Sequence, residues 1–311
     1  MATVEVASHG STIALDGRRL RVNRPDSPPA YVVVDDLDLV VLQIPAVGVT
    51  GAALVALSAI GIPVMFCDEK HMPAAWLHPI GVSDVFDPDR ARKQAALPTR
   101  TRDRLWRDLV SAKIAGQARL IEERGKEFAA RLHRVSDEVG EGDAENKEAL
   151  AAQLYWPALF GDDFRRRGDD PKVGALDWGY AVLRALVCRA LVSAGLYPAI
   201  GIHHRSAGNA FNLADDLIEP YRPLVDRLVR EASAKQGAFP PTSWKPTLSA
   251  LGEYPVSLDG KLMRARAAVR ETVASFARIV DSGKGNLALP QRIGATQNAG
   301  RMAADVADGL L

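Results

Sequence analysis

Leu39 to Phe66 is a run of 28 residues without a single charge. As one helix, a run of that length would cross a bilayer, which takes about 20 apolar residues. Pro45, Gly48, Gly51, Gly61 and Pro63 interrupt it, and each either removes a backbone donor or lets the chain turn. The segment therefore resolves into strand, short helix and strand. Thr50 is the expected N-cap of that helix and Gly61 its stop. Strand patterns lie before it. "TVEVAS" alternates, Asp16-Gly17 marks a hairpin in "STIALDGRRLRVNR", and "AYVVVDDLDLVVLQI" supplies a long β-branched run. Up to about Ile80 the chain reads as a small β-rich domain covered by one helix.

From Asp89 the apolar period becomes helical. The expected helices run Arg90 to Gly125, Glu145 to Phe160, Trp178 to Ala194, Phe211 to Ala232 and Leu262 to Asp281, separated by breaks such as "GAFPPTSWKP". The fold class is therefore α+β. A β-rich domain over 1–85 precedes a mostly α-helical domain over 86–311, which suits a length of 311 residues. Between Trp178 and Ala194 only Arg184 and Arg189 are charged. That helix is expected to be buried on nearly all sides, at the centre of its domain. Cys67 and Cys188 sit in apolar surroundings and read as buried thiols in a reducing compartment. The opening "MATVEVASHG" lacks the charged start and apolar stretch of a signal peptide, so a cytoplasmic chain with no membrane partner is expected.

A net charge of +1 argues for no particular partner. Local charge says more: Arg90 to Lys126 holds eleven Lys/Arg against four Asp/Glu. Most charge runs are solvated helix faces, but this one is also a candidate nucleic-acid surface.

The chemistry concentrates in "GIHHRSAGNAFNLADDLIEPYRP", Gly201 to Pro223. On a helix from Phe211, Asn212, Asp216 and Glu219 share one face, Leu213, Ala214 and Leu217 face the core, and Asp215 lies to the side, nearer solvent. Carboxylates on adjacent turns repel unless a cation or a proton sits between them. Upstream, Glu148 opens a nearly apolar helix and shares its face with Ala152, Tyr155 and Leu159. A carboxylate held against apolar surface needs compensation, from the helix N-terminus, from Arg184 or Arg189, or from a metal. A glutamate, a histidine of the adjacent pair and a second acid, on three separate segments, together offer oxygen and nitrogen donors that suit Mg²⁺ or Mn²⁺ better than Zn²⁺, since no CxxC or HExxH occurs. Such cations most often serve phosphoryl transfer. No P-loop, Rossmann glycine pattern, GxSxG or His-Asp dipeptide is present, which withdraws support from nucleotide hydrolysis, hydride transfer and serine esterase chemistry.

The blocks "NKEALAAQLYW", "DWGYAVLRALVCRALVSAGLYPAIGIHH" and "FNLADDLIEPYRPLVD" resemble the signature of the CRISPR-associated integrase, the larger subunit of the spacer-acquisition complex. "GIPVMFCDEKHMPAAWLHP" and "LWRDLVSAKIAGQARLI" resemble the form found with type II systems, and the likeness runs from about Val4 to Asp281. Asp177-Trp178 and Gly116 depart from the asparagines usual in that pattern. The resemblance implies an N-terminal β domain used to form a homodimer and a helical catalytic domain that cuts and joins double-stranded DNA. It places the catalytic, metal-binding residues on Glu148, His204 and Glu219, with Asp216 and His203 as auxiliary candidates. The 3′-hydroxyl of a short DNA fragment would attack a phosphodiester of the CRISPR repeat. Arg100, Arg102, Arg104 and Arg107, joined by Arg165, Arg166 and Arg167, are the expected DNA contacts. The implied partners are a small ferredoxin-like subunit, whose dimer two homodimers would flank, and the RNA-guided nuclease of the same locus. A metal-dependent nuclease that does not join ends, and a DNA-binding assembly subunit with an inactive site, are the alternatives.

Overall fold

A computed structural model describes residues 2–25, 27–77, 88–122, 125–235 and 244–293. The chain divides into two compact units, Met1–Ala95 with Cys188–Tyr197, and Ala96–Val187 with Pro198–Leu311. The boundary expected after residue 85 lies outside the described residues.

The first unit holds two four-stranded sheets. One joins β1 (Ala2–Val6), β5 (Leu37–Leu42) and β7 (Val64–Cys67) in parallel, with β8 (Pro73–Leu77) antiparallel at its edge. The other is ordered β4 (Ser27–Val33), β3 (Arg19–Arg24), β2 (Thr12–Asp16), β6 (Gly48–Val49). The Asp16-Gly17 hairpin joins β2 to β3, with Gly17 at φ +61. The β-branched run does not stay one strand. Val34–Asp36 form a 3₁₀ turn in which Val34 donates to the Arg18 carbonyl and Asp35 pairs with Arg18. Two adjacent acids cannot continue into the apolar interior, so the chain leaves one sheet there and enters the other. Helix α1 (Gly51–Ala59) covers the junction. Thr50 caps it by accepting from the Ala53 amide, and Gly61 ends it at φ +79. Ala53 and Leu57 pack on Ile13, Leu20, Leu37 and Val64, while Val55 is 70% exposed.

Helix α2 (Pro88–Ala95) closes the described part of that unit, and α3 (Thr99–Ile121) opens the second. One helix was expected from Arg90 to Gly125. Leu97-Pro98 divides it, because the residue before a proline is driven out of the helical region. Helix α3 lies at the centre of the second unit, packed against α4 (Lys126–Asp137), α5 (Lys147–Phe160), α7 (Asn212–Ile218) and α8 (Arg222–Lys235). Helix α6 (Pro171–Ser193) begins seven residues earlier than expected, and no residue from Trp178 to Ala194 is exposed. Proline divides the expected Phe211 to Ala232 helix as well. Pro220 has no amide to give, and a 3₁₀ turn, Glu219–Tyr221, separates α7 from α8. Helix α9 (Lys245–Ser249) leads to strands β9 (Pro255–Leu258) and β10 (Lys261–Arg264), then α10 (Ala265–Ser282) and β11 (Pro290–Ile293). The small β10-β9-β11 sheet was not expected in a helical domain. Among the described residues no helix is long and apolar enough to cross a membrane.

Gly179 lets α6 approach α8. A Cβ there would fall inside van der Waals contact with Val225 Cγ1 and 3.3 Å from Leu248 Cδ2. Val225 is fully buried and, being β-branched, is stiff at χ1. Gly179→Ala is expected to destabilise the fold by about 1–3 kcal/mol, visible as a lower urea midpoint at unchanged slope. An unchanged midpoint would show that the two helices can separate freely.

Candidate metal centre

Every residue of α7 is buried, including Asn212, Asp215 and Asp216. Burying a carboxylate without partners costs several kcal/mol, roughly, so each acid here must be met. Asp216, at 0% exposure, is met by backbone. Its Oδ2 accepts from the amides of Ile202 (2.6 Å) and His203 (3.0 Å), and its Oδ1 from the His204 amide (3.1 Å) and His204 Nδ1 (2.7 Å). Asn212 donates to the carbonyls of Ala199 and Ser206. The histidine loop thus hangs from α7 by side chains that themselves lie in the core. It comes so close that a Cβ on Gly201 would collide with the His204 carbonyl and lie 2.9 Å from Asp216 Oδ2. Asp215, expected nearer solvent, is buried instead, because Arg184 of α6 (2.6 Å) and Asn209 (2.7 Å) meet its carboxylate.

Glu148 sits in the first turn of α5. Asp143 caps the turn by accepting from the Lys147 and Glu148 amides, and Asn146, at φ 54, accepts from the Ala149 amide. Its side chain keeps 32% exposure, more than a helix buried from its start would allow. Neither arginine expected to neutralise it does so. Arg184 is held by Asp215, and Arg189 by Glu5. The partner is Lys113 of α3, with Nζ 2.6 Å from Glu148 Oε1 and also 2.6 Å from Glu219 Oε2. Glu219 is 3% exposed and its other oxygen, Oε1, accepts from Arg222 Nε at 2.8 Å. Burial alone would raise the Glu219 carboxyl, but Arg222 and Lys113 outweigh it and hold the group down to about 2. Burial opposes the charge on Lys113 too, yet Glu219 and Glu148 keep it above its ordinary value.

Asn212 and Asp216 face the histidine loop, whereas Glu219, beyond the end of α7, turns toward α3. The two histidines separate by role. His203 stacks flat on buried Trp106 of α3, with ring centroids 4.2 Å apart and planes 6° apart, while His204 meets Trp106 edge-on. His204 Nδ1 donates to Asp216, which leaves Nε2 as the nitrogen for a cation. This is the arrangement in which a buried carboxylate fixes a metal-binding imidazole. Asp216 has both oxygens spent on the loop and acts as a positioning residue. One turn of helix past Arg222, Asp226 is fully buried and accepts from Tyr155 (2.8 Å) and Tyr180. Burial pushes its carboxyl up to about 6 against those hydroxyl donors. Tyr180 also lies under the Arg222 guanidinium, 4.5 Å from its ring centroid.

Among the described residues no three His, Cys, Asp or Glu side chains form a ready-made cation cage, and Lys113 stands between the two glutamates. The donors nevertheless fit a hard divalent cation: two carboxylates and one oriented imidazole. Glu219 Oε2 is fully buried and its 2.6 Å contact with Lys113 is an ion pair of poor hydrogen-bond alignment. Trp106 and Lys113, seven residues apart on one face of α3, are the site residues that motif reasoning passed over.

Of the expected DNA contacts, Arg100, Arg165 and Arg167 are exposed. Arg102 donates to the Leu97 carbonyl, Arg104 and Arg107 both reach Asp108, Arg165 donates to the carbonyls of Asp162 and Phe164, and Arg166 pairs with Asp177.

The hydrogen bond that His204 Nδ1 donates to Asp216 is the largest influence on His204, and with the charges of Asp216, Glu219 and Asp215 it outweighs burial and raises the imidazole above its ordinary value. A raised value favours the charged ring in the folded chain. The stability it adds is complete below about pH 6.5 and is lost as pH climbs through the folded value. Asp216→Asn is expected to bring His204 back toward the ordinary histidine value, measured by NMR titration of the metal-free protein. An unmoved titration would remove Asp216 from control of the ring.

A family model described as "CRISPR associated protein Cas1" matches residues 4–247. The CRISPR-associated endonuclease Cas1 of Neisseria meningitidis serogroup C (strain 8013) is 33% identical over 289 residues, covering 91% of this chain and 94% of that protein. Among solved structures, a casposase bound to its integration product superposes with a TM-score of 0.68 at 19% identity, covering 93% and 98% of the two chains. A partial Cas6-RT-Cas1–Cas2 complex gives 0.64 at 17%, covering 91% and 96%. The chain belongs to the Cas1 family of CRISPR-associated endonucleases.

Proposed function

We propose that this chain is a divalent-cation-dependent DNA integrase that joins short DNA fragments into a CRISPR array, in the form that accompanies type II systems. The observation that carries the reading is the convergence of Glu148 and Glu219 on one point, 2.6 Å from each, beside an imidazole oriented by Asp216. Glu148, Glu219 and His204 Nε2 would hold Mg²⁺ or Mn²⁺. Bound there, the cation would supply charge neutralisation at the attacked phosphate. Asp216 keeps Nε2 free, the cap on α5 fixes the turn that bears Glu148, and Arg222 fixes Glu219 from behind. Casposase–integration product and Cas1–Cas2 complexes are among the structural neighbours. They support a DNA substrate and assembly with a partner subunit; attack by a 3′-hydroxyl and a small ferredoxin-like partner complete the proposal. The exposed Tyr31, Val33, Val55 and Ile60 of the first unit support a homodimer through the β-rich region.

Glu148→Ala, His204→Ala and Glu219→Ala are each expected to abolish Mn²⁺-dependent strand transfer into a repeat-containing plasmid, with the circular dichroism spectrum kept. Full joining by Glu148→Ala would overturn the assignment. Hydrolysed products without joined ones in the wild type would mark a nuclease that does not integrate.

DNA affinity is expected to fall steeply with salt, because basic side chains release phosphate counterions. Arg100→Ala and Arg167→Ala, both at exposed positions, are expected to lower the slope of log affinity against log salt by about 1 each. A salt-independent affinity would show that these arginines do not meet DNA.

A further inference from the structure

We propose that Lys113 is a built-in counter-ion of the metal centre: its ammonium occupies the place between Glu148 and Glu219 that a divalent cation takes, and the cation enters only as Lys113 leaves. The inference rests on the metal reading above.

The geometry allows little else. One nitrogen touches both glutamates at 2.6 Å, so an ion bridging the same oxygens would overlap it. The Lys113 side chain is only 12% exposed and that of Glu219 only 4%, so water screens the pair weakly. With Arg222 included, two carboxylates face two cationic side chains, and the group is neutral as it stands. Adding a divalent cation with both side chains in place would bury two surplus positive charges, a cost that no contact here offsets.

One of the two basic side chains must therefore move, and their surroundings decide which. Arg222 donates to Glu219 Oε1 with a planar guanidinium and lies over the Tyr180 ring at 4.5 Å. Tyr180 is itself fastened to Asp226. Lys113 has a flexible four-carbon stem and a compact ammonium, and its contact with Glu219 Oε2 is not an aligned hydrogen bond. Lys113 is the exchangeable partner and Arg222 the permanent one. Before a cation arrives, Lys113 keeps two like charges from driving apart the elements that bear them. It does so at the expense of cation affinity.

Mn²⁺ binding to the full-length chain without DNA tests this, by titration calorimetry and by the loss of the free-ion electron paramagnetic resonance signal. Lys113→Met is expected to bind Mn²⁺ about tenfold more tightly than the wild type, since the ion then relieves an uncompensated buried pair. In EDTA this variant should melt below the wild type, and Mn²⁺ should return more of its melting temperature than it adds to the wild type. Lys113→Arg keeps the charge and should bind no tighter than the wild type. If Lys113→Met does not fold in EDTA, Lys113→Gln carries the same expectation. A folded, uncharged variant that binds Mn²⁺ equally or less tightly than a binding-competent wild type overturns the counter-ion role and leaves the metal reading standing. A wild type and variants that all fail to bind Mn²⁺ overturn both.

Discussion

Four carboxylates lie buried within twelve residues of chain, Asp215, Asp216, Glu219 and Asp226, and the helical unit is arranged around meeting them. Each is satisfied from a different direction. Arg184 of α6 meets Asp215, the histidine loop meets Asp216, α3 reaches Glu219 through Lys113, and α5 and α6 supply the tyrosines of Asp226. A buried acid stripped of its partner costs several kcal/mol, roughly. Four such demands on one short segment tie α3, α5, α6 and the loop to α7 and α8 more specifically than apolar packing could, because apolar contacts accept many registers.

Those demands are met in two physical styles. Asp216 and Asp226 are held by neutral donors, amides and hydroxyls, with Nδ1 of His204 added for Asp216. Their geometry is set by directional bonds. Asp215 and Glu219 are held by cationic side chains, and Glu219 carries two. A directional, neutral cradle is hard to exchange. An ionic contact without hydrogen-bond alignment can be replaced by another cation of suitable size. The acid proposed to hold the cation is the one held ionically, and the acid that places the imidazole is the one held by the backbone.

Much of this was legible in the residues themselves. The charge-free run broken by prolines and glycines became strand, helix and strand, Thr50 and Gly61 bound its helix, and the Asp-Gly hairpin formed where its turn chemistry demanded. Asp259-Gly260, with both residues at positive φ, joins β9 to β10 by the same chemistry, just before the helix expected from Leu262 and in a region where no strand is expected. Divisions at Leu97-Pro98 and Pro220 could have been placed from the proline rule alone. Lys113 could not. On sequence it is one of the eleven basic residues between Arg90 and Lys126, a stretch whose charge suggests solvent or DNA, and only the packing of α3 against the Glu219 turn shows it facing inward. Asp215 misled for the converse reason. An acid on a short helix is ordinarily solvated, and nothing local announces that Arg184, thirty-one residues earlier, will cover it.

Suspending the histidine loop from Asp216 also bears on motion. Gly208 and the exposed residues around it read as a mobile surface segment by every local measure. The amides of Ile202, His203 and His204, however, end on a carboxylate that is 0% exposed within a fully buried helix. Their exchange with solvent requires the loop to let go of a carboxylate set in the core, an opening costlier than free loop fluctuation. The part of the surface that carries the imidazole therefore moves less freely than its exposure suggests.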